Sequence, residues 1–386
     1  MSSAERDPAH AGLDVLILVS SDPRYDSRSS KYLHSLLDAG FDARLVGISS
    51  DGEEEIGETL VRLPMAHVSG KKFFLQFYQR AIPEMRRSRA KIIIAGDLFS
   101  LLPAVANKRR YSSKSTLPTK NGSSVKLIYD SKELYEHLPS LKTKRSSFMF
   151  WNLVEKISIK YVDHVLTVNK SIADILETKW RKPTTVIMNV PDVKRAPAFG
   201  ERSLNKVTLA FSGGFQGGRG LCNLIRLLTL LPERYELKLI GDGKLRGELE
   251  EFTAALNLSG RVHFIGKLRN SEVIDELSKA TLGIYLMENS GLCHYLALPN
   301  KLFQFISAGL PVIVPNFPEM AGIVSKFQIG EIVDPENLSD TAEKILEMTS
   351  HEEHYQDLVG NCNRAAGVLN WQVEKEKFLA LINSLI

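Results

Sequence analysis

The stretch "LALPNKLFQFISAGLPVIVP", residues 296–315, reads as a helix followed by a buried strand, and the start of that helix is unusual. Pro299 suits a first helical position. The residue before it, Leu298, has no side-chain acceptor for the free N–H groups, and Lys301 adds a cation where the helix dipole is already positive. An anion at that point would answer both anomalies.

Further short β-branched runs lie on either side, separated by helix-length segments. In the first half they are "LDVLILVS", "FDARLVGI", "KIIIAG", "VKLIYD", "DHVLTV" and "TTVIMN"; in the second they are "VTLAFSG", "ELKLIG", "RVHFIG", "LGIYLM", "PVIVP" and "GEIVDP". Strands alternating with helices predict parallel sheets covered on both faces. The pattern restarts near residue 207, after the linker-like "NVPDVKRAPAFGERSLNK". A chain of 386 residues exceeds one ordinary core. The reading is therefore α/β, with two doubly wound Rossmann-like domains in tandem, 1–195 and 196–365, and a last helix over 366–386. Residues 108–124, polar, basic and rich in Ser, Gly and Pro, read as a mobile insertion.

Composition narrows the class. Hydrophobic residues at 44% and charged residues at 24% are ordinary for a globular protein. Cys222, Cys293 and Cys362 are scattered and odd in number, which suggests neither a disulfide framework nor a zinc site. "MSSAERDPAHAG" lacks the apolar core of a signal peptide, and no run reaches the roughly 18 apolar residues of a membrane span. A cytoplasmic protein is expected. The net charge of +4 divides into +9 for residues 1–195 (31 Lys/Arg, 22 Asp/Glu) and −5 for residues 196–386 (18 and 23), which favours two domains with different partners.

A second strand-to-helix junction shares the anomaly at Lys301. In "FSGGFQGGRGLCNLIRLLTLL" a glycine-rich turn runs into an amphipathic helix, with Arg219 at its start. Glycines let backbone approach a phosphate, and free N–H groups at a helix start bind it. Either junction alone is as well explained by a plain turn with a solvated cation. The two together, at equivalent places in one domain, point to a diphosphate held between Arg219 and Lys301. Gly213 and Gly218 have P-loop spacing, but Arg219-Gly220 replaces the Lys-Ser/Thr that would ligate magnesium, so an NTPase is disfavoured. No D-x-D pair occurs, and no metal site is expected.

The ordered set "IYDSKELYEHLP", "LTVNKSIAD", "VIMNVPD", "GGFQGGRGL", "IGDGKLR", "RVHFIG", "LPNKLFQFISAGLPVI" and "WQVEKEKFLALI", with "DPRYDSRSSKYLHSLLDAGFDARLVGI" near the start, resembles GT-B-fold retaining glycosyltransferases of family GT4 (glycosyltransferase group 1). The resemblance runs from about residue 13 to the end. It implies two domains facing across a cleft, with the acceptor on the N-terminal domain and a UDP- or GDP-sugar donor on the C-terminal one. The last helix is expected to cross back to the N-terminal domain. The donor diphosphate would meet Arg219, Lys301 and the turn Pro299-Asn300-Lys301. Gly213, Gly214, Gly218, Gly241 and Gly243 would line the donor site. Ile265 and Leu268, in the "FIGKL" segment, would read the base.

Two positions depart from the resemblance. Lys132 stands in "YDSKE" where the family usually has His near the reacting sugar. Gln304 stands where the family has a Glu that accepts the ribose hydroxyls; an amide accepts through only one oxygen. The E-x7-E pair is also incomplete, with Leu296 at its first position, and Glu288 is the candidate replacement carboxylate. The implied reaction is metal-independent sugar transfer with retention to a glycan or lipid-linked acceptor, in polysaccharide or glycolipid assembly. Arg219, Lys301, Lys132 and Glu288 are the candidate catalytic residues. A non-catalytic sugar-nucleotide-binding relative and a GT-B-fold sugar-nucleotide 2-epimerase are the alternatives. The basic, aromatic "SGKKFFLQFYQRAIPEMRRSRAK" admits peripheral contact with an anionic membrane, or a plain helix packing Phe73, Phe74 and Phe77 on the sheet. Nucleic acid is not an expected partner, since no binding motif accompanies the basic charge.

Overall fold

Each of the twelve β-branched runs becomes a strand in the computed structural model, as expected of near-continuous apolar runs in parallel sheets. The structure describes residues 12–49, 51, 53, 55–65, 70–113, 125–138, 145–192 and 203–386. The first sheet contains β1 (Val15–Leu18), β2 (Ala43–Ser49), β3 (Glu55–Ile56), β4 (Leu60–Pro64), β5 (Ile92–Ala95), β6 (Lys126–Asp130), β7 (His164–Thr167) and β8 (Thr184–Val186). Its order is β3-β4-β2-β1-β5-β6-β7-β8, parallel throughout except for the β3–β4 pair. The second contains β9 (Val207–Ser212), β10 (Tyr235–Ile240), β11 (Val262–Gly266), β12 (Leu282–Ile284), β13 (Val312–Pro315) and β14 (Gly330–Val333), all parallel, in the order β11-β10-β9-β12-β13-β14. Both sheets are doubly wound and Rossmann-like.

The short antiparallel edge is a correction to a purely parallel reading. β3 and β4 lie in "EIGETLVRLP", whose charges hide the strand pattern. Arg62 is nevertheless buried in β4, with Asp51 at 2.7 Å, Glu55 at 3.1 Å and Asp22 at 3.5 Å. Paired carboxylates let a charged side chain occupy that position.

The chain divides into unit 1, Met1–Met188 with Glu374–Ile386, and unit 2, Asn189–Val373. The sequence reading placed these divisions at 195/196 and 365/366. The helix Trp371–Leu385 belongs to unit 1 from Glu374 onward. There the buried Glu374 carboxylate accepts from the Met188 N–H at 2.8 Å, and Phe378 stacks on Tyr32 with ring centroids 4.2 Å apart.

Unit 1 is braced by an ion pair that the motif reading did not identify. Arg28 reaches both Asp130 oxygens, at 2.8 and 2.9 Å, and also donates to Ile187 O at 2.6 Å and Thr167 O at 3.3 Å. One buried guanidinium thus ties the ends of β6, β7 and β8 to the helix Ser27–Asp38.

Part of the expected mobile insertion is helical. The helix Leu98–Ser113 continues through residues 108–113, and Lys108 pairs with Asp163 and donates to Tyr161 O at 2.9 Å. Residues 114–124 lie outside the described residues. The segment "KKFFLQFYQRAIPEMRRS" is the helix Lys71–Ser88. Its Phe77 is buried, while Phe74 packs against Trp151 and Phe99 of neighbouring helices, at 4.6 and 5.2 Å between centroids.

Candidate functional site

In unit 2 the winding direction reverses between β9 and β12. The carboxyl ends of strands flanking such a reversal are where open α/β sheets bind ligands. β9 leads through Ser212 into Gly213, and β12 leads through Tyr285 to Glu288. The helix Asn300–Ser307 lies between β12 and β13 and directs its first turn to the same place.

That helix start is bare. Pro299 is itself the N-cap rather than the first helical residue, because its ψ of 144° is extended. It supplies no side-chain hydrogen bond, and the first turn contains no acid. Lys301 extends over Gly213: a Cβ on that glycine would sit 2.7 Å from Lys301 Cε and 3.4 Å from Nζ. With φ at +150°, Gly213 is also a backbone that side-chain-bearing residues rarely adopt.

Arg219 lies in the turn before the helix Leu221–Leu227 and donates to the Tyr285 hydroxyl. Gly220 is required at the cap: its φ is +68°, and a Cβ there would meet Leu286 O at 1.9 Å. Close packing against β12 therefore positions Arg219. Burial, and secondarily the Arg219 charge, push Lys301 down to about 8. Among the described residues neither cation has a salt bridge. Two half-buried cations near each other, beside a glycine turn and an uncapped helix start, form an arrangement that an anion would stabilise.

The other sequence-predicted residues of unit 2 lie on the loops and helix starts at the carboxyl ends of its strands. Gln304 Oε1 accepts from Ser212 Oγ at 2.9 Å, so its one acceptor oxygen already has a partner. Gly218 O accepts from Glu288 N at 3.2 Å, and the Glu288 carboxylate is exposed. Gly214 precedes Phe215, whose N–H donates to Asp242 O at 2.9 Å. This bond ties the first glycine turn to the one containing Gly241 and Gly243. Gly241 N donates to Gly266 O at 2.9 Å. Ile265 and Leu268 flank Gly266 at the end of β11, with Ile265 exposed and Leu268 half-buried. Asn300, the first helical residue, is exposed.

Lys132 belongs to unit 1, where its ammonium lies 2.9 Å from Asp26. Burial raises the Asp26 carboxyl, but Lys132 and the Ser29 N–H outweigh it and hold the group below its ordinary value. Asp26 also caps the helix Ser27–Asp38.

Two residues near the cations escaped the sequence reading. Tyr285 looks like a core strand residue in "LGIYLM", and its hydroxyl, raised by burial and partly offset by Arg219, is what Arg219 grips. His294 lies over Gly218, whose added Cβ would be 3.4 Å from His294 Cε1, and its Nδ1 is 2.5 Å from Ser290 Oγ. Burial and the Arg219 charge lower its pKa. A lone His gives no pattern in the sequence.

Residues 193–364 match the family described as glycosyl transferases, group 1. This span is nearly coextensive with unit 2. Unit 2 is a glycosyl transferases group 1 domain. The chain as a whole has the GT-B fold: it superimposes on HepE of Anabaena, in its complex with UDP and glucose, with a TM-score of 0.72, 12% identity and coverage of 96% of this chain and 100% of that one. An uncharacterised glycosyltransferase of Methanocaldococcus jannaschii is 26% identical over 217 residues, 54% of this chain and 56% of the relative. The lipopolysaccharide core biosynthesis glycosyltransferase LpsD of Rhizobium meliloti is 33% identical over 103 residues, 26% of this chain and 30% of LpsD. The chain thus spans about half or less of the length of these curated relatives. The group 1 domain contains every candidate site residue except Lys132.

Proposed function

We propose that this chain is a retaining, metal-independent glycosyltransferase. It moves a hexosyl or related sugar from a UDP- or GDP-sugar to a glycan or lipid-linked acceptor in cell-surface polysaccharide or glycolipid assembly. The observation that carries this reading is Lys301 lying over Gly213, with the Arg219 charge beside it, at the β9/β12 reversal. HepE, whose structure holds UDP and glucose, and LpsD, named for lipopolysaccharide core biosynthesis, support the donor and pathway classes.

In the proposed reaction the bond from the anomeric carbon to the diphosphate breaks, and an acceptor oxygen bonds to that carbon from the same face. The acceptor proton passes to a phosphate oxygen, and a nucleoside diphosphate leaves. Negative charge grows on the leaving group, so fixed cations and helix-start N–H groups stabilise the transition state more than the ground state. Arg219 and Lys301 provide that charge without a metal, and activity is expected to survive EDTA.

Gln304 and Lys132 favour one second reading, a binding protein without turnover, because the Gln304 oxygen is engaged by Ser212 and the Lys132 charge is neutralised by Asp26. Incubation with UDP-, GDP- and dTDP-sugars separates the two. Released nucleotide supports the transferase. Tight binding with no release across donors and acceptors supports the binding protein.

A further inference from the structure

Unit 1 exposes an apolar stripe that no other described residue covers. The helix Arg145–Ser158 buries Trp151, Val154, Glu155 and Ser158 on one face. Its opposite face presents Met149, Phe150, Leu153 and Ile157, which are 62%, 50%, 55% and 50% exposed. Their spacing confines them to an arc of about 100° on the helix. Large apolar residues clustered in this way on an exposed face mark an interaction surface.

The neighbouring helix Lys71–Ser88 touches this one through Phe74 and Trp151, with centroids 4.6 Å apart. It adds Leu75, 60% exposed, among exposed Lys71, Lys72, Arg80, Arg86 and Arg87. The one acid on each helix is withdrawn from the surface: Glu84 is 6% exposed and Glu155 4%. Glu84 is held by Arg44 at 2.8 Å, and Glu155 accepts from the Tyr129 hydroxyl at 2.9 Å.

We infer that the outer faces of these two helices dock on an anionic lipid bilayer, with Phe150, Leu153 and Ile157 entering the interface and the Lys71–Arg87 cations meeting anionic headgroups. Charge decides between occupants. Self-association through this surface would oppose cation to cation, with no exposed acid on either helix, whereas an anionic bilayer complements both the charge and the apolar stripe. The inference is independent of the donor site. It extends the proposed function by making the acceptor one presented at a lipid surface.

Sedimentation of the 386-residue chain with sucrose-loaded vesicles tests it. Vesicles of phosphatidylcholine with 30 mol % phosphatidylglycerol, about the composition of a strongly anionic leaflet, are expected to bind the protein at least about tenfold more tightly than phosphatidylcholine alone, and raised salt should weaken that binding. The triple variant F150S/L153S/I157S and, separately, K71E/K72E should each lose about tenfold or more. Both change exposed residues only, and an unaltered circular dichroism spectrum and UDP affinity would establish that they fold. Equal binding by wild type and both variants, or no binding to anionic vesicles, overturns the inference. So does a concentration-dependent dimer, seen by light scattering, that the triple variant abolishes. Nucleotide release from soluble donor is read in the same samples, so loss of docking and loss of catalysis are distinguished.

Discussion

Lys301 is held in an environment that suits its neutral form, beside Arg219 and half removed from water, and its pKa falls from 10.5 to about 8. The folded protein therefore binds fewer protons at this side chain than the unfolded chain between about pH 8 and 10.5, and the stability contributed by the residue rises with pH across that window. If the proposed donor diphosphate sits at Lys301, its affinity runs the opposite way, because an anion needs the charged form. Titration calorimetry should show affinity for the donor falling as pH rises through about 8, and Lys301→Arg should flatten that fall. Lys301→Met should raise stability at pH 7 by on the order of 1–3 kcal/mol in urea unfolding while weakening the donor. Arg219→Ala and Lys301→Ala should each weaken donor binding by about 1–3 kcal/mol. Unchanged affinity in both would remove the diphosphate assignment. Gln304→Glu should keep the Ser212 bond and add a second acceptor oxygen, tightening binding by about 1 kcal/mol if the position meets a ribose.

At the scale of elements, the site depends on backbone approaches that only particular residues allow. The glycine turn after β9 can lie against β12 because Gly220 has no Cβ, and Leu286 O occupies the space a Cβ would need. Gly220→Ala should displace Arg219 and destabilise unit 2 by at least about 2 kcal/mol, visible as a lowered urea midpoint together with weakened nucleotide binding. In unit 1 the Arg28–Asp130 pair plays a comparable role. Asp130→Asn leaves a buried guanidinium without its counter-charge and should cost about 3–5 kcal/mol. That loss should be seen in unit 1 while the isotherm for UDP binding to surviving folded protein keeps its affinity.

For the whole molecule, the two doubly wound units carry opposite charge balance, and the proposed function assigns the nucleotide to unit 2 and the acceptor to unit 1. Hydrogen exchange with saturating UDP should slow the amides around Gly213–Gly220 and Pro299–Lys301 and leave the strands of unit 1 unchanged. Protection confined to unit 1 would place the donor in the wrong unit.

The α/β class, the restart near residue 207 and twelve of the fourteen described strands were legible in the amino-acid order, because strands buried in a parallel sheet are written as near-continuous β-branched runs. The uncapped cationic helix at Pro299–Lys301 was legible too, because capping is local chemistry. β3 and β4 were not, since Arg62 reads as a surface charge until the fold gathers Asp22, Asp51 and Glu55 around it. The same holds for residues 108–113, whose polar sequence suggested a loop until Asp163 offered Lys108 a partner. Tyr285 and His294 join the site only because the sheet order brings β12 beside β9, and the exposed stripe on Arg145–Ser158 exists because one face of an apolar helix finds no neighbour among the described residues. Periodicity and local caps are properties of residues close in sequence. Which distant groups neutralise a charge, and which apolar face is left facing solvent, only the tertiary structure decided.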